Sequence, residues 1–161
     1  MALLESVPNV SEGRDETVID AIAKAFAAHG RVLDVHSDVD HHRSVYTIVA
    51  GEADLIEALL AGIARAAELV DLRVHDGIHP RIGAADVVPI VPLRVGEMEL
   101  AVEVASTLGR RVGAERLLAI LRDRPNAPRL IVYAASNDQD VPRRAMAAGA
   151  AGFCNRDAQH H

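Results

Sequence analysis

The sequence predicts an α+β fold in which a mixed β-sheet carries its helices on one face. Half of the 161 residues are hydrophobic and 25% are charged, which is typical of one compact domain with a buried core. Apolar residues recur at helical spacing in two segments, and short apolar runs bounded by Pro, Gly and polar residues indicate strands. The resulting order is strand, helix, strand, strand, helix, strand, as in a ferredoxin-like split βαβ sandwich.

The first half of this order depends on chain breaks as much as on apolar runs. Pro8 stops the first strand, and Gly30 ends a helix that begins near Asp15. The polar loop 38–42 is short enough for a hairpin, and therefore indicates antiparallel strands. The predicted elements are a strand at Leu3–Val7, a helix from near Asp15 to Gly30, and strands at Arg31–Ser37 and Ser44–Ala50.

The second half adds another helix and strand before the pattern weakens. Gly51 opens a helix whose apolar stripe runs from Leu55 to Val70, and the polar stretch 71–85 is predicted to be a loop. Pro125 and Pro128 mark a later break. The remaining predicted elements are a strand at Asp86–Val91, a helix from Glu97 to about Leu108 or on towards Arg122, a strand at Leu130–Ala134 and a short helix at Val141–Ala148.

Side-chain alternation along the second strand predicts two different faces. Leu33 and Val35 share the face that suits burial under the helices. Asp34 and His36 share the opposite, open face, where a titratable pair is unusual for plain surface. We therefore expect the open face to form a polar groove against another subdomain or subunit.

Charge and cysteine content exclude several classes of function. The formal net charge is −6, Lys24 is the only lysine and no basic run occurs, which argues against nucleic-acid binding. Cys154 is the only cysteine, so an internal disulfide is impossible. We find no apolar segment long enough to cross a membrane and no signal peptide, and we expect a cytoplasmic location.

Two clusters of His and Asp residues are the candidates for chemistry. They span residues 34–43 and 75–83 and contain five of the eight histidines. Histidine titrates near neutral pH and can carry protons in transfer reactions. Pro80 restricts His79 to extended backbone, and glycines on both sides permit turns. The residues alone leave open whether these histidines are functional or belong to an ordinary surface loop.

The first cluster could also bind a metal ion, so a metal-dependent hydrolase is an alternative function. The sequence lacks HExxH, paired CxxC and EF-hand spacings, and His41 and His42 would point in different directions in a hairpin. We therefore predict no metal site. The residues competent as ligands are Asp34, His36, Asp38, Asp40, His41 and His42.

Two weaker features concern anions. The segment 11–13 precedes a helix and could bind phosphate there, but it lacks the Walker spacing, which favours a turn with a helix cap. Arginine can bind a substrate carboxylate through two N–H groups, although any single arginine is more often in a surface ion pair. The candidate arginines are Arg43, Arg73, Arg81 and Arg94.

Three segments together resemble the N-terminal subdomain of the formiminotransferase family. The segment from Val7 to Arg14 resembles the opening of the family, and residues 33–45 resemble its second-strand hairpin. Residues 75–89 are similar to the family signature around the catalytic histidine. The segments lie in the family's order and at its spacing, and the resemblance covers about residues 4 to 112.

The resemblance implies transfer of a formimino group from N-formimino-L-glutamate to tetrahydrofolate, the co-substrate, in histidine degradation. His79 matches the catalytic histidine, which would act first as a base and then as an acid. Asp34 and His36 would line the substrate groove, and Arg43 or Arg81 would hold a glutamate carboxylate. The substrate-binding residues that the resemblance implies are Asp34, His36, His42, Arg43, Arg81 and Gly83.

The sequence departs from the family at two points. The family usually has Asn where this chain has His42, and the family's second subdomain and Gly-rich folate-binding stretch have no counterpart here. We therefore expect half of an active unit, completed by a homodimer or by a separate second-subdomain protein. A non-catalytic folate-binding or interaction module is a further alternative.

The last third of the chain resembles the end of a response-regulator receiver domain, without its phosphoacceptor region. Ala134 stands where such domains carry Ser or Thr, and Arg156 stands where they carry Lys, so we expect no phosphorylation by that mechanism. A divergent end of the same subdomain is equally open. The predicted division is a subdomain at residues 1–120 followed by a tail at 121–161.

Overall fold

The computed structural model describes residues 2–78, 83–113, 131–133 and 152–154. Through residue 113 the order of elements is the predicted one, except that an unpredicted short strand follows the first strand beyond Pro8, and the fourth predicted strand is divided in two. The elements are β1 (Leu3–Ser6), β2 (Asn9–Val10), α1 (Glu16–Ala27), β3 (Arg31–Asp38), β4 (Arg43–Gly51), α2 (Glu52–Leu69), β5 (Ala85–Val87), β6 (Ile90–Pro92), α3 (Met98–Gly113), β7 (Ile131–Tyr133) and β8 (Gly152–Cys154).

The short strands β1 and β2 together occupy one position in the sheet, and β5 and β6 together occupy the next. Both β1 and β2 pair antiparallel with β4, and between them Pro8, which has no N–H, accepts a bond from the Tyr46 N–H at 3.1 Å. β5 pairs with β2 and β6 pairs with β1, again antiparallel, while β3 lies on the other side of β4. The order β5/β6, β1/β2, β4, β3 confirms the predicted ferredoxin-like α+β fold.

Two short strands extend the sheet beyond β5. β7 pairs parallel with β5, and β8 pairs parallel with β7, so the sheet is mixed as predicted. β7 lies within the predicted strand at Leu130–Ala134, whereas the predicted helix at Val141–Ala148 falls outside the described residues. The division of the chain at residue 120 stays a prediction.

The core lies between one face of the sheet and the helices. Leu4, Tyr46 and Ile48 are fully buried from the sheet side, and the Phe26 ring of α1 lies 5.1 Å from the Tyr46 ring, centroid to centroid. A Cβ on Gly62 of α2 would lie 2.0 Å from the Phe26 ring, so the missing side chain lets α1 and α2 approach closely. Among the described residues no helix combines the length and hydrophobicity needed to cross a bilayer.

The prediction that Leu33 is buried was wrong. Its side chain is 53% exposed, because the register of β3 against β4 shifts between Val32 and Asp34 and leaves Leu33 as an extra residue. The shift brings Val32 and Val35 to the buried face, opposite Ile48 and Tyr46. A one-residue bulge therefore exchanged one predicted core residue for its neighbour.

The open face carries Asp34 and His36, as predicted. Asp34 pairs across the sheet with Thr47, and His36 pairs with Val45. On the far side of the sheet Val91 is 38% exposed. Glu5 of β1 pairs with both Val49 and Val91 on this face, so polar and apolar side chains are mixed across it.

Candidate functional site

Three loops converge at one end of the sheet, and we call this region the three-loop site. They are residues 11–15 between β2 and α1, residues 38–43 at the β3–β4 turn, and the described parts of the segment between α2 and β5, residues 70–78 and 83–84. Ser11 ties the first loop to the last, since its N–H donates to the Ala84 carbonyl at 2.8 Å and its hydroxyl to the Gly83 carbonyl at 2.9 Å.

Gly13 brings the first loop into direct backbone contact with the β3–β4 turn. A Cβ at this position would lie 2.3 Å from the Asp38 carbonyl oxygen and 2.4 Å from the Arg43 nitrogen. Next to it, the Ser44 hydroxyl donates a short hydrogen bond to the Glu12 carbonyl. Only glycine fits this approach, because any side chain would meet rigid backbone on the neighbouring strand.

Glu12, His42 and His75 form a buried cluster, which we call the Glu–His–His cluster. Their side chains are 11%, 9% and 7% exposed, respectively. Glu12 Oε1 lies 3.3 Å from His42 Nδ1, and Glu12 Oε2 lies 3.9 Å from His75 Nε2. The two imidazole rings stack with centroids 3.6 Å apart. One carboxylate therefore faces two titratable rings in a place from which water is largely excluded.

Backbone geometry helps to build this cluster. His42 has a φ of 52°, a left-handed conformation that His and Asn adopt more readily than most residues. Its Nδ1 accepts the Gly13 N–H at 3.0 Å. Glu12 Oε1 accepts the N–H groups of Arg14 and Asp15 at 2.8 and 3.0 Å, just before α1 begins. The carboxylate is therefore held by backbone N–H groups close to the N-terminus of α1, where negative charge is favoured.

A second buried charge pair lies beneath the turn. Arg43 Nη1 donates to Asp86 Oδ2 at 2.8 Å, and Nη2 donates to Asp86 Oδ1 in a parallel bond. Arg43 is 8% exposed and Asp86 is 1% exposed. The guanidinium that was expected to bind a substrate carboxylate thus already binds a carboxylate of the protein, through both of its oxygens.

A third, exposed pair connects all three loops. Arg14 Nη1 donates to Asp76 Oδ1 at 2.8 Å, and Arg14 Nε donates to the Val39 carbonyl at 3.1 Å. The guanidinium beside it lowers the pKa of the Asp76 carboxyl below its ordinary value. Close by, the Ile78 N–H reaches the Asp40 carbonyl at 3.4 Å. This pair ties the segment after α2 to the other two loops.

The structure brings together only some of the residues expected at the site. His42 and Gly83 lie in the three-loop site, where His42 joins the buried cluster and the Gly83 carbonyl accepts from Ser11. Asp34 and His36 are exposed on the open face of β3. His79 and Arg81 lie outside the described residues. The roles of all these residues stay predictions.

The ligand set expected for a metal-dependent hydrolase is not assembled. Within residues 2–78 and 83–113, the group of three His, Cys, Asp or Glu residues close enough to share an ion consists of Glu12, His42 and His75. Asp34 and His36 of the expected set stay exposed on β3. The Asp38 carboxylate instead caps the turn by accepting the His41 N–H at 2.7 Å, which lowers the pKa of Asp38.

The sequence did not predict that Glu12 and His75 belong to the Glu–His–His cluster. It also did not predict that Asp86 is the buried ionic partner of Arg43. Each of the three lies inside one of the motif segments at 7–14, 33–45 and 75–89. Their shared membership of those motifs was therefore the signal that could have found them.

Comparison with known proteins identifies the source of these motifs. The sequence profile described as the formiminotransferase domain, N-terminal subdomain, matches residues 3–141. The chain belongs to this formiminotransferase family. The resemblance on the three motif segments is thereby confirmed, whereas the likeness of residues 121–161 to a receiver domain stays a prediction.

Relatives of this formiminotransferase subdomain occur in distant organisms. Over 117 residues the chain is 48% identical to a glutamate formimidoyltransferase of Thermoplasma acidophilum, an alignment that covers 71% of this chain and 39% of that protein. It is 44% identical over 115 residues to the formimidoyltransferase-cyclodeaminase of Sus scrofa, covering 70% of this chain and 21% of that protein. The chain therefore spans well under half of the length of the curated relatives it matches.

Breaking the buried pair beneath the turn should be costly. Arg43→Met leaves Asp86 buried without its ionic partner and should lower the free energy of unfolding by about 3–5 kcal/mol. The double variant Arg43→Met/Asp86→Leu, which removes both charges, should lose less than Arg43→Met alone. Urea unfolding followed by circular dichroism measures these differences.

The exposed pair of Arg65 and Glu68, 2.9 Å apart, is the matched control for this measurement. Arg65→Met should change the free energy of unfolding by no more than about 1 kcal/mol, because both side chains are solvated. Equal losses in Arg43→Met and Arg65→Met would show that burial of the Arg43 pair has no energetic consequence.

The pKa of Asp76 should depend on Arg14. Because the folded pKa is lowered, the pair stabilises the fold above the ordinary carboxyl pKa, and this contribution is lost as the pH falls through the folded pKa. Arg14→Gln should raise the pKa of Asp76 towards its ordinary value, as measured by NMR of the carboxyl carbon against pH. Glu57, whose pKa Arg111 lowers elsewhere on the surface, should keep its value, and an unchanged Asp76 would contradict the assignment.

Proposed function

We propose that the chain supplies one half of an active unit that transfers a formimino group from N-formimino-L-glutamate to tetrahydrofolate in histidine degradation. Membership of the formiminotransferase family supports this proposal, as does the similarity to proteins named glutamate formimidoyltransferase. The observation that carries it is the convergence of all three motif segments in one site. Tetrahydrofolate is the co-substrate in this proposal.

His79 is proposed as the acid–base residue of the transfer. The folate N5 attacks the amidine-like carbon of the substrate and must lose a proton, and the departing glutamate nitrogen must gain one. One imidazole can accept the first proton and return it to the leaving group, so the reaction needs no other proton source. Support comes from both flanks of His79, since Ile78 and Gly83 are each hydrogen-bonded to residues of the three-loop site.

The proposed substrate contacts divide between the open face and the loops. Asp34 and His36 would line the groove from β3, on which both are exposed. We assign the glutamate carboxylate to Arg81 in preference to Arg43, because Asp86 already engages the Arg43 guanidinium. His42 and Gly83 would act by shaping the loops around the substrate.

The proposed location is the cytoplasm. The single cysteine cannot form the internal disulfides that are common in secreted proteins.

Isothermal titration of the chain with tetrahydrofolate and with formiminoglutamate tests the proposed function directly. Both ligands should bind, and turnover should be measured by absorbance of the folate product on the chain alone and on its mixture with a separately expressed second subdomain. His79→Ala should reduce turnover by about 10²- to 10⁴-fold while leaving the circular dichroism spectrum unchanged, because it removes only the proton carrier.

His29→Ala is the matched control, since His29 is exposed at the end of α1. It should keep wild-type turnover and wild-type binding of both ligands. Binding of neither ligand, by the chain or by the mixture, would sink the transferase proposal. Wild-type turnover in His79→Ala would sink the assignment of His79.

The open face of the sheet is proposed as the surface that completes the active unit. Polar and apolar side chains are mixed on this face, and the relatives extend far beyond the matched region, which is consistent with a second subdomain docking here or with a homodimer. Val91 on β6 pairs with Glu5 of β1 at this face.

Val91→Lys should weaken association by placing a charge in the proposed interface. Light scattering measures the mass of the chain alone and of its mixture with the second subdomain. Val95→Lys is the control, because Val95 is fully exposed in the loop before α3 and should leave the measured mass unchanged. A chain that stays monomeric in both experiments contradicts the proposed interface.

A further inference from the structure

The Glu–His–His cluster has the composition and the spacing of a divalent metal site. Two imidazoles and one carboxylate are preferred ligands of Zn²⁺ and related first-row ions. The ligand atoms of Glu12, His42 and His75 all lie within 4.8 Å of one another. In a tetrahedral site with bonds of about 2.0–2.1 Å, neighbouring ligand atoms are separated by roughly 3.3 Å. The contact between Glu12 Oε1 and His42 Nδ1 already has that distance, 3.3 Å.

The same contact joins two hydrogen-bond acceptors. His42 Nδ1 accepts the Gly13 N–H, and Glu12 Oε1 accepts the N–H groups of Arg14 and Asp15. With lone pairs on both atoms the contact is repulsive unless a positive species is shared between them. A cation at this place would bind the lone pair of His42 Nδ1 that now accepts the Gly13 N–H. Binding would therefore break one hydrogen bond and form one metal–ligand bond.

The burial of Glu12 is a second reason to expect a positive species beside its carboxylate. A carboxylate that is 11% exposed loses most of its hydration, and a positive charge beside it adds to the compensation that two backbone N–H groups already give. Among the residues that the structure describes, the imidazoles of His42 and His75 face this carboxylate with their rings stacked at 3.6 Å, so protonating both would place two positive charges in contact. Neutral imidazoles around a bound divalent ion avoid that repulsion, and the ion balances the carboxylate.

We propose that Glu12, His42 and His75 bind one divalent transition-metal ion, of the Zn²⁺ type, at the three-loop site. Each ligand comes from a different loop, so the ion joins residues 11–15, the β3–β4 turn and the segment after α2. Its role is to hold these loops together. Of the candidate metal ligands at residues 34–42, this site uses only His42. The proposed metal site does not depend on the proposed transferase function.

Titration of the chelator-treated chain with ZnCl₂ in a calorimeter tests this site. One ion should bind per chain, and Co²⁺ in its place should give the visible absorption of a site with nitrogen and oxygen ligands. Zn²⁺ should also raise the thermal midpoint of unfolding, because it binds the folded chain only.

His42→Asn is the decisive variant. Asn tolerates the left-handed backbone of this position and removes the imidazole, so the fold should survive. Its affinity for Zn²⁺ should fall by about 100-fold or more, since loss of a ligand should cost at least as much as loss of a ligand's supporting partner. If His42→Asn does not give a folded spectrum, His75→Ala provides the same test.

His41→Asn is the matched control, because His41 adjoins His42 but its side chain is 51% exposed and bonds to Asp38. It should bind Zn²⁺ as the unsubstituted chain does. No Zn²⁺ binding by the unsubstituted chain would overturn the proposal and leave a shared proton as the positive species. Binding that His42→Asn and His75→Ala leave unchanged would also overturn it and assign the ion to surface histidines.

Discussion

The three-loop site depends on the close approach of the Gly13 backbone to the β3–β4 turn. With a Cβ at this position 2.3 Å from a carbonyl oxygen, the two chain segments could not meet as they do. Their contact places Glu12 beside His42 and lets the Ser44 hydroxyl bond the Glu12 carbonyl. Ser11, directly before them, then holds the start of β5. One missing side chain thereby sets the position of all three loops.

Two buried carboxylates at this end of the sheet are neutralised in different ways. Asp86 has a permanent ionic partner, because arginine stays protonated at any ordinary pH. Arg43 donates two parallel hydrogen bonds to the Asp86 carboxylate. Glu12 faces imidazoles, whose charge changes with pH and which can also bind metal ions. The first pair therefore supports the turn, whereas the second group is chemically adaptable. Function is expected at the adaptable group and around it.

Much of the fold was predictable because it depends on local pattern. Apolar periodicity and chain breaks predicted the helices and the strand order, and that order has one common solution as a sheet. Pro8 was recognised as a break, but the pattern did not show that the strand resumes beyond it against the same partner. Leu33 was placed on the wrong face because a bulge is a property of two paired strands, not of one sequence.

The sequence by itself determined the α+β class, the family and the three segments that carry the candidate chemistry, because each of these depends on residues close together in the chain. Only the tertiary structure decided which of their side chains meet. Arg43 turned inward to Asp86, and Glu12 joined two histidines that are distant in the chain. The physical reason is that such contacts depend on strand register and loop approach, which arise when the sheet assembles and leave no local periodicity in the sequence.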